Sequence, residues 1–195
     1  MRITEVTLAG TVADHLKGPR SPLPQVAFAG RSNVGKSSLL NRLIGRAMAH
    51  VSKAPGKTRT INYYLVNKQF YFVDLPGYGF ANRGKEERQG WGESLSRYIA
   101  GEANLRLVVG LVDPRVPTSS LDAELAAFVR AAGRDLLVVL TKADKLGRGP
   151  LAEAAARIAR DLMLDRPPIA SSATSGAGKR ELLAAIDQII HDKEE

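Results

Sequence analysis

Short apolar runs alternate with helix-periodic segments along this chain. Gln25-Val26-Ala27-Phe28-Ala29 is a short apolar run that stops at Gly30, the pattern of a buried strand. After it, Leu39, Leu40, Leu43 and Ile44 share one helical face, which predicts a helix starting near Lys36. Tyr63 to Val66 and Phe70 to Val73 read as two strands joined by a hairpin-like turn at Asn67-Lys68-Gln69. Leu105 to Val112 and Leu136 to Leu140 are almost continuously apolar, as strands buried on both faces are. Between them, Leu121, Leu125, Phe128 and Val129 keep helical spacing. A further helix has Pro150 near its start and Leu151, Ala155, Ile158 and Leu162 on one side. Pro168-Ile169-Ala170 is a weak final strand, and a last helix carries Leu182, Leu183, Ile186, Ile189 and Ile190.

Strands that alternate with helices imply an α/β protein of three layers, with helices on both faces of a mostly parallel sheet. The count is six strands, one of them an antiparallel edge strand. Lys17 to Pro24 holds three prolines and a glycine and reads as a loop. Residues 1–24 are therefore expected to be a partly extended N-terminal extension, and residues 25–192 a single domain. Such sheets bind ligands at the carboxyl ends of their strands, so chemical motifs should follow strands directly.

Composition narrows the classes. The chain has 195 residues, 44% hydrophobic and 25% charged, and no cysteine, which excludes a disulfide scaffold or a thiolate metal site. No apolar run approaches the roughly 20 residues of a membrane span, and Met1-Arg2-Ile3-Thr4-Glu5 lacks the apolar core of a secretory signal. A cytoplasmic protein with no membrane partner is expected. His15, His50 and His191 are scattered and have no partner at metal spacing. The net charge of +8 suits contact with nucleic acid. Arg83, Lys85, Arg88 and Arg97 are candidates for phosphate-backbone contact, whereas Trp91, at helical spacing from Leu95 and Tyr98, reads as core packing.

Four motifs carry chemistry. Gly30-Arg31-Ser32-Asn33-Val34-Gly35-Lys36-Ser37, continued by Ser38, fits G-x-x-x-x-G-K-[ST] between a strand and a helix. Glycines let successive amides curl around phosphate oxygens, Lys36 neutralises the β- and γ-phosphates, and the Ser37 hydroxyl suits Mg²⁺. Asp74-Leu75-Pro76-Gly77 follows the strand Phe70–Val73; Asp74 suits the same ion, and the Gly77 amide suits a γ-phosphate. Thr141-Lys142-Ala143-Asp144 follows another strand. Its carboxylate can accept from guanine N1–H and the 2-amino group, a donor pair adenine lacks, and Thr141 stands where an asparagine is usual. Ser171-Ser172-Ala173 follows the last strand, with small residues that let an amide approach guanine O6. Between the first two motifs, Ser52 to Thr60 is a polar, basic loop in which Thr58 and Thr60 are both candidate Mg²⁺ ligands.

With these motifs in place, the sequence resembles the EngB (YihA/YsxC) family of ribosome-biogenesis GTPases, within the translation-factor-related group that includes Era. The resemblance is carried by Gly30 to Asn41, Pro55-Gly56-Lys57-Thr58-Arg59-Thr60-Ile61-Asn62-Tyr63-Tyr64, Asp74 to Gly79, and Trp91 with Tyr98. It implies a P-loop NTPase of the Ras-like G-domain type, GTP and GDP as ligands, and Mg²⁺. It places Gly56, Lys57 and Thr58 at the nucleotide, with Thr58 as the magnesium threonine beside Ser37 and Asp74, and Lys36, Gly77 and Thr58 as the hydrolytic residues. It also implies binding to the large ribosomal subunit during assembly and a need for the protein in normal division and septation; a monomer is expected. Arg59 replaces the family's usual glutamine, and Val116 stands where a histidine is common. Tyr78 occupies the place of a water-orienting glutamine, which predicts slow intrinsic hydrolysis assisted by a partner or a cation. In related GTPases an asparagine at the position of Asn33 helps bind K⁺. A small-molecule kinase is the alternative; Asp144, the Ser171–Ala173 triplet and the lack of a lid-like arginine cluster speak against it.

Overall fold

The computed structural model describes residues 1–13, 17–49, 60–79 and 95–191. The strands are β1 (Val6–Val12), β2 (Gln25–Gly30), β3 (Ile61–Val66), β4 (Phe70–Asp74), β5 (Leu105–Val112), β6 (Asp135–Leu140) and β7 (Ile169–Ala170), in the order β1-β3-β4-β2-β5-β6-β7. The helices are α1 (Lys36–Ile44), α2 (helical residues 95–101), α3 (Ser120–Ala131), α4 (Arg148–Asp161) and α5 (Lys179–His191). The neighbours β4, β2, β5, β6 and β7 are parallel, while β3 runs against both β4 and β1.

The three-layer, mostly parallel reading holds, with seven strands rather than six. The extra strand is β1, from the segment expected to be only partly extended, and it puts the antiparallel β3 inside the sheet. The reason lies in the hairpin turn. Asn67 and Lys68 have φ of 50° and 58°, and Gln69 N–H donates to Val66 C=O at 2.9 Å, a type I′ geometry that matches strand twist. Turned this way, the Asn67 amide oxygen accepts from the backbone N–H of Thr4 and of Glu5, and its NH₂ donates to Arg2 C=O. The turn thus pins residues 2–5 where β1 must begin.

Alternation along β5 divides the core. Leu107, Val109 and Leu111 pack with Leu39, Leu40 and Leu43 of α1 and Leu182, Leu183 and Ile186 of α5. Val108 packs with Tyr98 and Ile99 of α2 and Leu125 and Val129 of α3. Val112 meets Leu140 and Ile158 of α4. Tyr98 is fully buried, with its hydroxyl donating to Gln25 Oε1 at 2.8 Å, so it is core as the sequence suggests. Trp91 lies outside the described residues.

α1 is only 9 residues long and has no capping side chain. A helix of that length is marginal alone, but burial of Leu39, Leu40, Leu43 and Ile44 contributes about 1.5–3 kcal/mol each, which decides the matter. Its first-turn amides, with no side chain over them, remain available to an anion.

Candidate functional site

Parallel β2, β4, β5, β6 and β7 end at one edge of the sheet, and the motifs emerge there. Register sets their heights: Phe28 is level with Asp74, Gly30 with Leu111, Val112 with Leu140, and Leu140 with Ala170.

Gly30 ends β2 where a Cβ would lie 2.9 Å from Val34 Cγ1 and 3.1 Å from Leu111 C=O, so only glycine fits. The loop then curls. Val34 N–H donates to Arg31 C=O at 3.1 Å, Asn33 has φ 64°, and Gly35 has φ 107° at the start of α1. Both positive values are costly for most residues, least so for glycine and asparagine. Lys36 is buried and its ammonium donates to Asp74 Oδ1, also buried, so each compensates the other's charge. Ser37 is half-buried beside it at the head of α1. A hydroxyl and a carboxylate are hard oxygen donors of the kind Mg²⁺ takes when phosphates and water complete its shell. Among the described residues no group of three His, Cys, Asp or Glu could hold a metal alone. Gly56, Lys57, Thr58 and Thr60's neighbours Ser52 to Arg59 lie outside the described residues, as do Arg83, Lys85 and Arg88. Arg97 is described and exposed.

The second half of the site is a cleft of about 220 Å³ lined by Gly35, Ser38, Thr141, Lys142, Asp144, Ser171 and Ala173 among others. It brings the first, third and fourth motifs onto one surface. Thr141 is buried, and its hydroxyl donates to Val34 C=O at 2.7 Å, with Val112 C=O at 3.3 Å. A hydroxyl therefore braces the phosphate loop where an asparagine amide is usual. Lys142 takes φ 54°, and its ammonium donates to Asn33 C=O at 2.9 Å and Asp113 Oδ2 at 3.0 Å. Its stem passes beside Gly35, where a Cβ would lie 3.7 Å from Lys142 Cε. Ala143 N–H donates to Ser171 C=O at 3.1 Å, and Ser171 N–H to Leu140 C=O at 2.7 Å, which ties the loops after β6 and β7 together. Asp144 is exposed, and Ser172 donates its hydroxyl to Asp144 Oδ1 at 2.6 Å. That bond above all holds the Asp144 carboxyl below the usual carboxylate range.

Three contributors were not singled out from the sequence. Asp113 directly follows β5, as Thr141 follows β6, so the same strand-end rule finds it. Arg115 grips it through Nε at 2.9 Å and Nη2 at 2.7 Å, and with Lys142 holds its carboxyl well below the ordinary range. Gly178, at φ 75°, passes so close to Ala170 C=O that a Cβ would sit 2.1 Å from it; this contact is invisible in sequence. The third, Asp122, meets Tyr78. That side chain is buried and its hydroxyl donates to Asp122 Oδ1 at 2.9 Å, so the phenol is committed to α3.

A family model described as 50S ribosome-binding GTPase matches residues 25–142. The probable GTP-binding protein EngB of Chlorobaculum tepidum is 46% identical over 170 residues, covering 87% of this chain and 88% of that one. The chain belongs to the EngB family of GTP-binding proteins. The EngB homologue of a Geobacillus species is 39% identical over 193 residues, with 97% and 100% of the two chains covered. A crystal structure of a probable EngB superposes with a TM-score of 0.73 at 28% identity, over 87% of this chain and all of that one. Era of Aquifex aeolicus, crystallised with GDP·AlF₄⁻, shares the fold at a TM-score of 0.71 and 24% identity, over 86% of this chain and 56% of that one. As an EngB-family P-loop GTPase, the chain binds GTP and GDP and hydrolyses GTP.

Proposed function

We propose that this chain is a Mg²⁺-dependent GTP switch that acts on the large ribosomal subunit during its assembly, with normal division and septation depending on that work. The observation that carries the nucleotide part is the single cleft joining Gly35 and Ser38 to Lys142, Asp144 and Ser171. A guanine lying there has Asp144 at its N1 edge and the Lys142 stem against its face. Its phosphates run back to the amides at the head of α1 and to Lys36. Adenine would leave Asp144 without donors, at a discrimination of about 10⁴ or more for a site built this way.

Bound Mg²⁺ would be held by Ser37, Asp74 and Thr58 and would supply neutralisation of phosphate charge. Lys36 gives up part of its bond to Asp74 to take phosphate charge, and Gly77 offers its amide to the terminal phosphate. Tyr78, engaged with Asp122, offers no group to the attacking water. Intrinsic turnover is accordingly slow, and a ribosomal partner or K⁺ near Asn33 supplies the missing help. The ribosomal part rests on the family model's description, the +8 charge and the kinship with EngB proteins. The protein acts as a monomer in the cytoplasm; among the described residues no helix is long and apolar enough to cross a membrane.

Two measurements test this. Calorimetry on stripped protein should give tight GDP binding and none for ADP; equal affinities would refute the nucleotide reading. Co-sedimentation with ribosomal subunits should favour the large subunit and the non-hydrolysable GTP analogue over GDP; nucleotide-independent or absent binding would remove the ribosomal role. Faster turnover in KCl than in NaCl is expected, and equal rates would end the K⁺ role.

A further inference from the structure

Gly77-Tyr78-Gly79 is wedged between the phosphate loop and α3. On one side, Tyr78 N–H donates to Gly30 C=O at 3.2 Å, and Ser32 N–H donates to Tyr78 C=O at 2.8 Å. On the other, the Tyr78 hydroxyl donates to Asp122 Oδ1. Of the flanking glycines, the first runs close against Ser32 and the second turns through a left-handed backbone angle. A Cβ on Gly77 would lie 3.3 Å from Ser32 Cα and Oγ; Gly79, at φ 81°, passes 3.3 Å from Leu121 Cδ1 and 3.4 Å from Arg31 Nε by the same measure.

Asp122 is occupied on both oxygens. Oδ1 takes Tyr78, while Oδ2 accepts from Ser119 N–H at 3.2 Å and Ser119 Oγ–H at 2.8 Å, completing the capping box of α3. The carboxylate is 4% exposed and Tyr78 5%. A charged acceptor in so dry a place makes a strong bond, and losing its donor is costly. Burial first, and then the Asp122 charge, push the phenol well above the ordinary tyrosine value, so it stays a protonated donor at any working pH.

We propose that Asp122, which lies outside every nucleotide motif, is a positioning residue for GTP hydrolysis: through the Tyr78 hydroxyl it holds Gly77 against Ser32, setting the Gly77 amide for the terminal phosphate before GTP arrives. The inference rests on the reading of Gly77 as the amide that meets that phosphate. GDP lacks the phosphate and does not use the arrangement. The device therefore acts on GTP alone, and it gives the tyrosine a task at a position where hydrolysis would gain from a glutamine.

The test compares Tyr78→Phe, Asp122→Asn, Asp122→Ala and Ser119→Ala in the full chain with Mg²⁺ present. Fluorescent GDP and a fluorescent non-hydrolysable GTP analogue are titrated, single-turnover hydrolysis is timed, and thermal midpoints are recorded. Tyr78→Phe keeps the ring and loses only the donor. It should weaken the triphosphate analogue and lower kcat/KM about tenfold or more while GDP affinity stays within about twofold. Asp122→Ala should match it, and the double variant should be no worse than Asp122→Ala alone, as a shared interaction requires. Asp122→Asn can keep the Tyr78 bond through its amide oxygen while its NH₂ gives up the bond from Ser119 N–H, so it should restore most of the rate and lower the thermal midpoint as Ser119→Ala does. Ser119→Ala cuts the cap on the other oxygen; it should lower the thermal midpoint yet leave both affinities in place. Equal weakening of GDP and the analogue by Tyr78→Phe, or a fall in midpoint with unchanged kinetics, would overturn the proposal and leave a purely structural bond. Absence of GDP binding in the parent protein would overturn both this and the nucleotide reading.

Discussion

At the scale of single residues, the site depends on groups that hold other groups. Asp144 is exposed, and an exposed carboxylate has no fixed direction of its own. The Ser172 hydroxyl, itself 1% exposed, supplies one. Ser172→Ala should weaken GDP binding about tenfold in a titration, whereas Asp144→Ala should abolish the preference for guanine altogether. Asp113 plays the matching part for Lys142. Asp113→Ala is expected to weaken GDP and GTP alike, because it frees the lysine over the base and leaves hydrolysis of bound GTP untouched. A single-turnover rate that falls with it would contradict that assignment. Gly178→Ala is a test of packing alone. With φ 75° and a carbonyl in the way, it should cost about 2 kcal/mol or more and lower the melting temperature.

Elements show how local chemistry is allocated between stability and ligand. α3 is closed by Ser119 and Asp122, a complete capping box, and α1 opens with Gly35 and no cap at all. Capping is worth roughly 1 kcal/mol, so α1 forgoes it where an anion is to bind and is held by its buried leucines instead. The hairpin β3–β4 has a second task besides pairing. Asn67→Gly keeps the left-handed turn but removes the bonds to residues 2–5. Amide exchange should then quicken across Val6–Val12 and stay unchanged in β4, β2 and β5. Protection lost evenly across the sheet would mean that the turn, not the side chain, holds β1.

For the molecule as a whole, folding and nucleotide binding are linked. A ligand at 100 times its Kd adds about 2.7 kcal/mol, which for a chain of this size raises the melting temperature by roughly 5–10 °C. GDP with Mg²⁺ should do this and ADP should not. The acid side has a definite sign. Asp113 and Asp144 have folded pKa values below the unfolded ones, so their contribution is complete above the ordinary carboxylate value near about 3.9 and fades only as pH falls through the folded values. Followed by carboxylate chemical shifts in the nucleotide-free protein, neither group should titrate between pH 8 and about 5; titration of either near pH 6 would show that these carboxylates are not held as described.

The apolar periods determined six of the strands and the helices α1, α3, α4 and α5, and residue types at fixed spacing gave the site motifs at strand ends, because burial on a sheet and phosphate binding both impose strict local patterns. The pattern could not give β1, whose alternation is weak and whose partner strand, β3, lies far along the chain. Nor could it give Asp113 under Lys142, Ser172 under Asp144, or Asp122 under Tyr78. Each of these pairs joins residues from separate elements, two of them at neighbouring strand ends and the third between the loop after β4 and α3, and only tertiary packing brings them within hydrogen-bond distance. The residue types that bind a nucleotide are fixed by spacing along the chain, and the groups that aim them are fixed by the packing of α3 and the loops around that common edge.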